Sequence, residues 1–226
     1  MTTRDPFAID EWYHCYNRGV DKRRIFEDTH DYERFLVGLF VGNSDLSVHI
    51  SNLKSSRLKD VLKDDSFERG DPLVEIGAYC LMPNHFHLLI REILEGGIAL
   101  FMQKLCTGYT MYFNTKNERT GALLAGTFKS KHVSNDRYFK HLVSYFHLNP
   151  AELLDSKWKT GLGHLPNIKN GLNEYRYSSL PDFLGQGRLE NIIIGKSLAG
   201  LYETRPTLSE MVEDAHAYYK EVLYQG

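Results

Sequence analysis

Two histidines one residue apart, His85 and His87 in Met82-Pro83-Asn84-His85-Phe86-His87-Leu88-Leu89-Ile90, are the residues of this chain best placed for chemistry. Side chains of a strand alternate between faces, so both imidazoles project to one side and Phe86 to the other. Their Cα atoms lie about 7 Å apart in extended chain, close enough for both rings to hold one divalent ion. An exposed His-x-His on an amphipathic strand satisfies the same spacing, and spacing alone favours that plainer reading. A second pair is Tyr145 and Asn149, one turn apart on an expected helix, which share a flank with Tyr138 and reach into one space. A boundary tyrosine followed by a C-terminal Asn cap accounts for that pair equally well.

The elements that must position these residues read in order. Glu11 to Asn17 is an aromatic-rich strand ended by Arg18-Gly19, and Asp21 to Arg24 is a short, mostly basic turn. Asp28 or Thr29 caps a helix through about Gly42, with Tyr32, Phe35, Leu36, Leu39 and Phe40 as its buried stripe. Residues 43–72 are polar and charged and read as an insertion, partly helical or loosely ordered. Leu73 to Met82 and His85 to Arg91 form a hairpin around Pro83-Asn84. Gly96-Gly97 precede a long helix from about Ile98 to Asn117, its buried positions Leu100 or Phe101, Leu105, Tyr109, Tyr112 and Phe113. Thr127 to Val133 is a final strand with Lys129 and Lys131 on one face. Asn135 or Asp136 caps a helix to Asn149, whose narrow apolar face (Phe139, Leu142, Val143, Phe146) docks on the sheet. Pro150 then bends or ends it.

The first six elements are those of a ferredoxin-like α+β sandwich, a four-stranded antiparallel sheet with helices on one face. Residues 1–150 make this domain, and 151–226 are an extension packing on it, with a closing helix from about Ser209 to Leu223. His132, His141 and His147 read as surface or boundary histidines.

Bulk properties narrow the function. No apolar run is long enough to span a bilayer, and Met1 to Asp5 lack a secretory apolar stretch. Cys15, Cys80 and Cys106 are odd in number and form no Cys-x-x-Cys pair, which fits a reducing cytoplasm rather than a disulfide framework. The net charge of −2 argues against a protein that coats nucleic acid without selectivity. Charge is uneven, however: between Phe101 and Pro150 seven Lys or Arg face only Glu118 and Asp136. Lys129, Lys131, Arg137 and Lys140 are candidates to track phosphates, with a solvated basic face as the alternative. Arg18 and the turn holding Arg23 are further candidates for DNA contact.

Several blocks together resemble the single-tyrosine transposases of the HUH nuclease superfamily, in particular the REP-associated type. They are Tyr13-His14 with Asn17-Arg18-Gly19, Met82 to Leu89 around the His-hydrophobic-His triplet, Phe101 to Asn114, Gly126 to Ser130, Tyr145-Phe146-His147-Leu148-Asn149-Pro150, and Tyr175 to Gly185. Thr127 and Leu124 depart from the pattern, standing where relatives carry a basic residue and an aromatic, and Gly108 and Met111 stand at positions often basic in relatives.

The resemblance implies metal-dependent cleavage and rejoining of single-stranded DNA, at hairpin-containing sites. Tyr145 is then the nucleophile that forms a 5′-phosphotyrosine, and His85 and His87 hold one Mg²⁺ or Mn²⁺ with Asn149 as a third ligand. It admits a homodimer as well as a monomer. Three rivals make different predictions. A regulator that binds DNA or RNA hairpins without cutting forms no adduct, a water-using hydrolase survives loss of the Tyr145 hydroxyl, and a plain ferredoxin-like protein binds neither metal nor single strands.

Overall fold

β1 (Trp12–Arg18) alternates strictly, with Tyr13 and Cys15 turned to one face of a sheet and His14 and Tyr16 to the other. The chain is described by a computed structural model covering residues 6–46, 57–65, 67–160, 164–200, 202 and 204–224. β2 (Val74–Met82) and β3 (His85–Glu92) form the expected hairpin, and β4 (Lys129–His132) is shorter than its sequence suggests. All pairings are antiparallel, in the order β2-β3-β1-β4, so β3 and β1 occupy the centre. This is the open four-stranded α+β sheet expected from the sequence.

α1 (Thr29–Val41) begins with a reciprocal cap: the Asp28 carboxylate accepts from His30 and Asp31, and the Asp31 carboxylate accepts from Asp28. Its predicted stripe is buried in full. α3 (Gly97–Lys116) buries Phe101, Leu105, Tyr109 and Phe113, and leaves Leu100 exposed. α1 and α3 cover one face, where Phe86, Leu88 and Ile90 of β3 meet Phe35, Phe101 and Tyr13. Each such side chain contributes roughly 1.5–3 kcal/mol by leaving water. The short helix α2 (Leu58–Val61) adds Leu58 and Val61 to this core. Asn43 is buried, and its amide bonds the backbone of Leu73 and Val74. The segment is thus partly helical, as one of its two expected forms has it, and is anchored through Asn43, Leu58 and Val61 while most of its other described residues after Arg57 are exposed or half-buried. Residues 47–56 and 66 of that segment, and Met1 to Asp5, lie outside the described residues.

The opposite face receives α4 (Asp136–Leu148), capped by the Asn135 side chain accepting from Tyr138. Phe139, Leu142, Val143 and Phe146 are buried against Ala78, Cys80, Met82 and Leu89. Asn149 and Pro150 keep helical dihedrals, and α5 (Ala151–Leu154) follows, so Pro150 separates two helices without turning the chain away. α6 (Leu165–Glu174), α7 (Leu180–Phe183), α8 (Ser197–Gly200) and α9 (Leu208–Tyr224) complete this layer. Between α6 and α7 the chain lies along the outer edge of β2. Ser178 bridges Cys80, the Leu81 amide donates to the Tyr177 carbonyl, and the Ser179 amide donates to the Tyr79 carbonyl.

A bulge between Ile76 and Ala78 shifts the register of β2 so that the faces exchange parity along the strand. Gly77 occupies it because a Cβ there would stand 2.7 Å from the Trp12 ring.

Candidate active site

The hairpin turn that presents His85 is fastened from behind. The Pro83 carbonyl accepts from the amides of Ile25 and Phe26, and the Asn84 carbonyl accepts from Gly19. The rows of the sheet then set the site. Cys80, His87, Tyr16 and Lys129 are directly paired across all four strands, and Met82, His85 and Arg18 form the next row. Paired residues share a face, so the two histidines sit beside Tyr16, Arg18 and Lys129 on the side covered by α4. The His85 and His87 rings lie 5.0 Å apart between centroids, nearly perpendicular. Tyr145 reaches over from α4, its ring 5.7 Å from that of His87. All three residues belong to one chain, so a single copy assembles the group.

Around them opens a cleft of about 880 Å³, rimmed by Arg18, Lys22, Arg24 and Lys129, with Glu152 as the only acidic side chain lining it among the described residues. Four cations around a floor of imidazoles give the cleft a positively charged rim, the kind of surface that phosphate groups bind. Of the residues expected to contact DNA, Arg18 and Lys129 line this cleft. Arg23 does not; its neighbours Lys22 and Arg24 do, because Asp21 and Lys22 adopt left-handed dihedrals that twist the turn. Lys131 lies over the Tyr138 ring, and Arg137 and Lys140 line a second groove between α4 and α9, of which Tyr145 is also a wall.

Burial sets the protonation of the imidazoles. His87 is held well below its ordinary pKa by desolvation, reinforced by His14 and His85. His85 is lowered by desolvation, against which the Glu152 charge works. Neutral imidazole is the form that binds metal. The Nδ1 of His85 donates to the Asn84 side-chain oxygen at 2.7 Å, which leaves its Nε2 with a lone pair. Asn149 is buried one turn after Tyr145, and its amide nitrogen has no partner. Turned over, that amide presents a free carbonyl oxygen. Among the described residues no cluster of three or more His, Cys, Asp or Glu is arranged to hold a metal. Asn149 is not among the residues lining the cleft, so the donors that face it together are the two imidazoles, which suit an ion that fills its other positions with water or phosphate oxygens.

Sequence reasoning passed over His14. Its Nε2 lies 2.7 Å from Nδ1 of His87, in a buried contact with Phe146 against one side of the ring and Tyr16 nearby. Desolvation, then the charge of Lys131, lowers its pKa to about 4. Alternation in Tyr13-His14-Cys15-Tyr16 marks His14 as facing away from the α1/α3 core, but only the register of β1 on β3 brings it to His87.

His147 differs from expectation. It is fully buried, bonded to the Ser179 hydroxyl at 3.0 Å and packed on Phe183, because the segment around α7 covers the back of α4. His132 is exposed, as expected.

No protein-family model and no curated protein matches the sequence. A solved structure does: a REP-associated tyrosine transposase bound to a REP hairpin aligns over 92% of this chain and 91% of its own, with a TM-score of 0.50 and 14% identity. This chain has the fold of that transposase. At such identity the likeness is one of fold, and it converges with the resemblance carried by the sequence blocks. The alignment takes in 92% of the chain, so it reaches past the sheet into the segment after residue 150. No helix among the described residues is long and apolar enough to cross a membrane.

Proposed function

We propose that this chain is a DNA strand transferase that cleaves and rejoins single-stranded DNA at hairpin-containing sites through a 5′-phosphotyrosine on Tyr145. The observation that carries the reading is the approach of the Tyr145 ring to the His85–His87 pair at the floor of a cation-rimmed cleft. In this reading the scissile phosphate lies between Tyr145 and the histidines. Tyr145 Oη attacks the phosphorus, the Oη–P bond forms as the P–O3′ bond breaks, the phenol proton leaves to solvent and the departing 3′ oxygen gains one. The covalent link conserves the phosphodiester energy, so a 3′-hydroxyl from the same or another strand reverses the step without ATP.

Phosphoryl transfer asks chiefly for positioning and charge stabilisation. Arg18, Lys22, Arg24 and Lys129 supply charge from the protein, bound to phosphates on either side of the reacting one. Arg137 and Lys140 accompany the strand beyond Tyr145. His85 and His87 would hold a Mg²⁺ or Mn²⁺, which when bound polarises a non-bridging oxygen and offsets the charge that develops there.

The test is a denaturing gel of the protein with labelled single-stranded oligonucleotides bearing hairpins, in Mg²⁺ or Mn²⁺. A covalent protein–DNA band is expected, abolished by Tyr145→Phe, His87→Ala or a chelator. Cleavage that persists in Tyr145→Phe makes the protein a water-using hydrolase. Hairpin binding without cleavage or adduct over a broad panel makes it a regulator on the transposase fold.

A further inference from the structure

We propose that His14 is a positioning residue, holding His87 in the tautomer and ring orientation that turns a bare Nε2 to the cleft. The inference deepens the function proposed above and rests on its metal site.

His87 has two ring nitrogens, and a neutral imidazole carries a proton on one of them. A metal ligand needs its coordinating nitrogen bare, so the proton must sit on the other and be anchored there. His85 obtains this from the Asn84 oxygen, an acceptor only. For His87 the partner at Nδ1 is another imidazole, His14 Nε2, 2.7 Å away. A carbonyl or carboxylate acceptor settles which side holds the proton; an imidazole does not by itself, because it offers either a donor or an acceptor. The pair has two arrangements. In one, His87 Nδ1–H donates to His14 Nε2, leaving His87 Nε2 bare. In the other, His14 Nε2–H donates to His87 Nδ1, and the proton on His87 Nε2 blocks coordination.

Coordination through His87 Nε2 requires the first arrangement. His14 must keep its own proton on Nδ1 for its Nε2 to accept. Its ring is fixed by packing on Phe146, 4.9 Å between centroids, and beside Tyr16 at 4.7 Å, in a position with 8% of its surface exposed. The same Phe146 ring lies 5.6 Å from His87. One phenyl side chain from the tyrosine helix thus backs both members of the pair, and the residue before it is Tyr145. Rotation of His87 away from the cleft breaks the His14 bond and loses the Phe146 contact together. The nucleophile and the imidazole it must face are seated on one packed unit.

The test uses the full chain. In metal-free protein, two-bond ¹⁵N–¹H correlation spectra report the tautomer of each histidine. The wild type is expected to show His87 protonated at Nδ1. His14→Phe keeps the ring packing and removes the acceptor, so His87 is expected to show mixed or Nε2-protonated signals, with Mn²⁺ affinity, followed by electron paramagnetic resonance, lower by 10–100-fold. His14→Gln returns a carbonyl acceptor and is expected to restore the Nδ1 tautomer and most of the affinity. A thermal melt of each variant separates unfolding from loss of positioning, and His14→Gln provides the test where His14→Phe does not fold. An unchanged His87 tautomer and unchanged Mn²⁺ affinity in His14→Phe overturn the proposal. So does a Gln variant that folds but stays with the wrong tautomer. A wild type that binds no Mn²⁺ removes instead the metal-site reading beneath it, whatever the tautomer.

Discussion

Acid should unfold this protein through its buried histidines, and His147 allows the effect to be sized. It is fully buried, and desolvation, aided by the Arg188 charge, lowers its pKa to about 3. In the unfolded chain the same imidazole titrates near 6.5. The lowered value means that the unfolded state binds the extra proton, so stability is complete above about pH 6.5 and falls as the pH drops toward 3. Between pH 7.5 and 5.0 the unfolded chain gains about 2 kcal/mol from protonating this one residue. His14, lowered to about 4, adds a like amount, for roughly 4 kcal/mol together. With an m-value of about 3 kcal/mol/M, the urea midpoint should fall by roughly 1 M or more over this interval. Urea titrations in a chelator at the two pH values measure it. His147→Gln, which keeps a partner for Ser179, should recover about half of the change. A midpoint that moves by less than about 0.3 M would refute the assignment of these rings as neutral and buried.

Two other outcomes follow from particular contacts. Gly77→Ala should cost about 1–3 kcal/mol, because the new methyl meets a Trp12 ring already packed on Phe139, and should lower the melting temperature by several degrees. Lys129→Ala should weaken binding of all single-stranded oligonucleotides alike and reduce the slope of log K against log salt by about 0.7, read by fluorescence anisotropy at several ionic strengths.

The strands and core helices were legible because their periods are clean. Alternation at His85-Phe86-His87 put the histidines on one face, and the Phe139, Leu142, Val143 and Phe146 stripe is buried as its spacing requires. Asp28 and Asn135 cap where capping chemistry places them. What the sequence could not yield depends on register and on segments far along the chain. His14 and His87 are 73 residues apart and meet only because β1 pairs with β3 in one alignment. His147 resembled a boundary histidine because the cover over it comes from Ser179 and Phe183, some thirty residues later. The basic turn near residue 22 was found, but which of its side chains face the cleft depends on two left-handed residues that no composition rule marks.

The segment lying along β2 also closes one edge of the sheet to other chains. An open sheet has two edges, and an unpaired edge is a template for another chain. Here Tyr177 to Ser179 occupy the β2 edge, while β4 at the other is only four residues long and carries Lys129 and Lys131. Neither edge invites strand addition. A fragment ending before Tyr175 loses the first of these guards and bares the backbone of Tyr79 and Leu81 on the longest strand, beside apolar surface that the missing helices once covered. Such a fragment should self-associate when expressed, although Tyr145 and both site histidines are present in it.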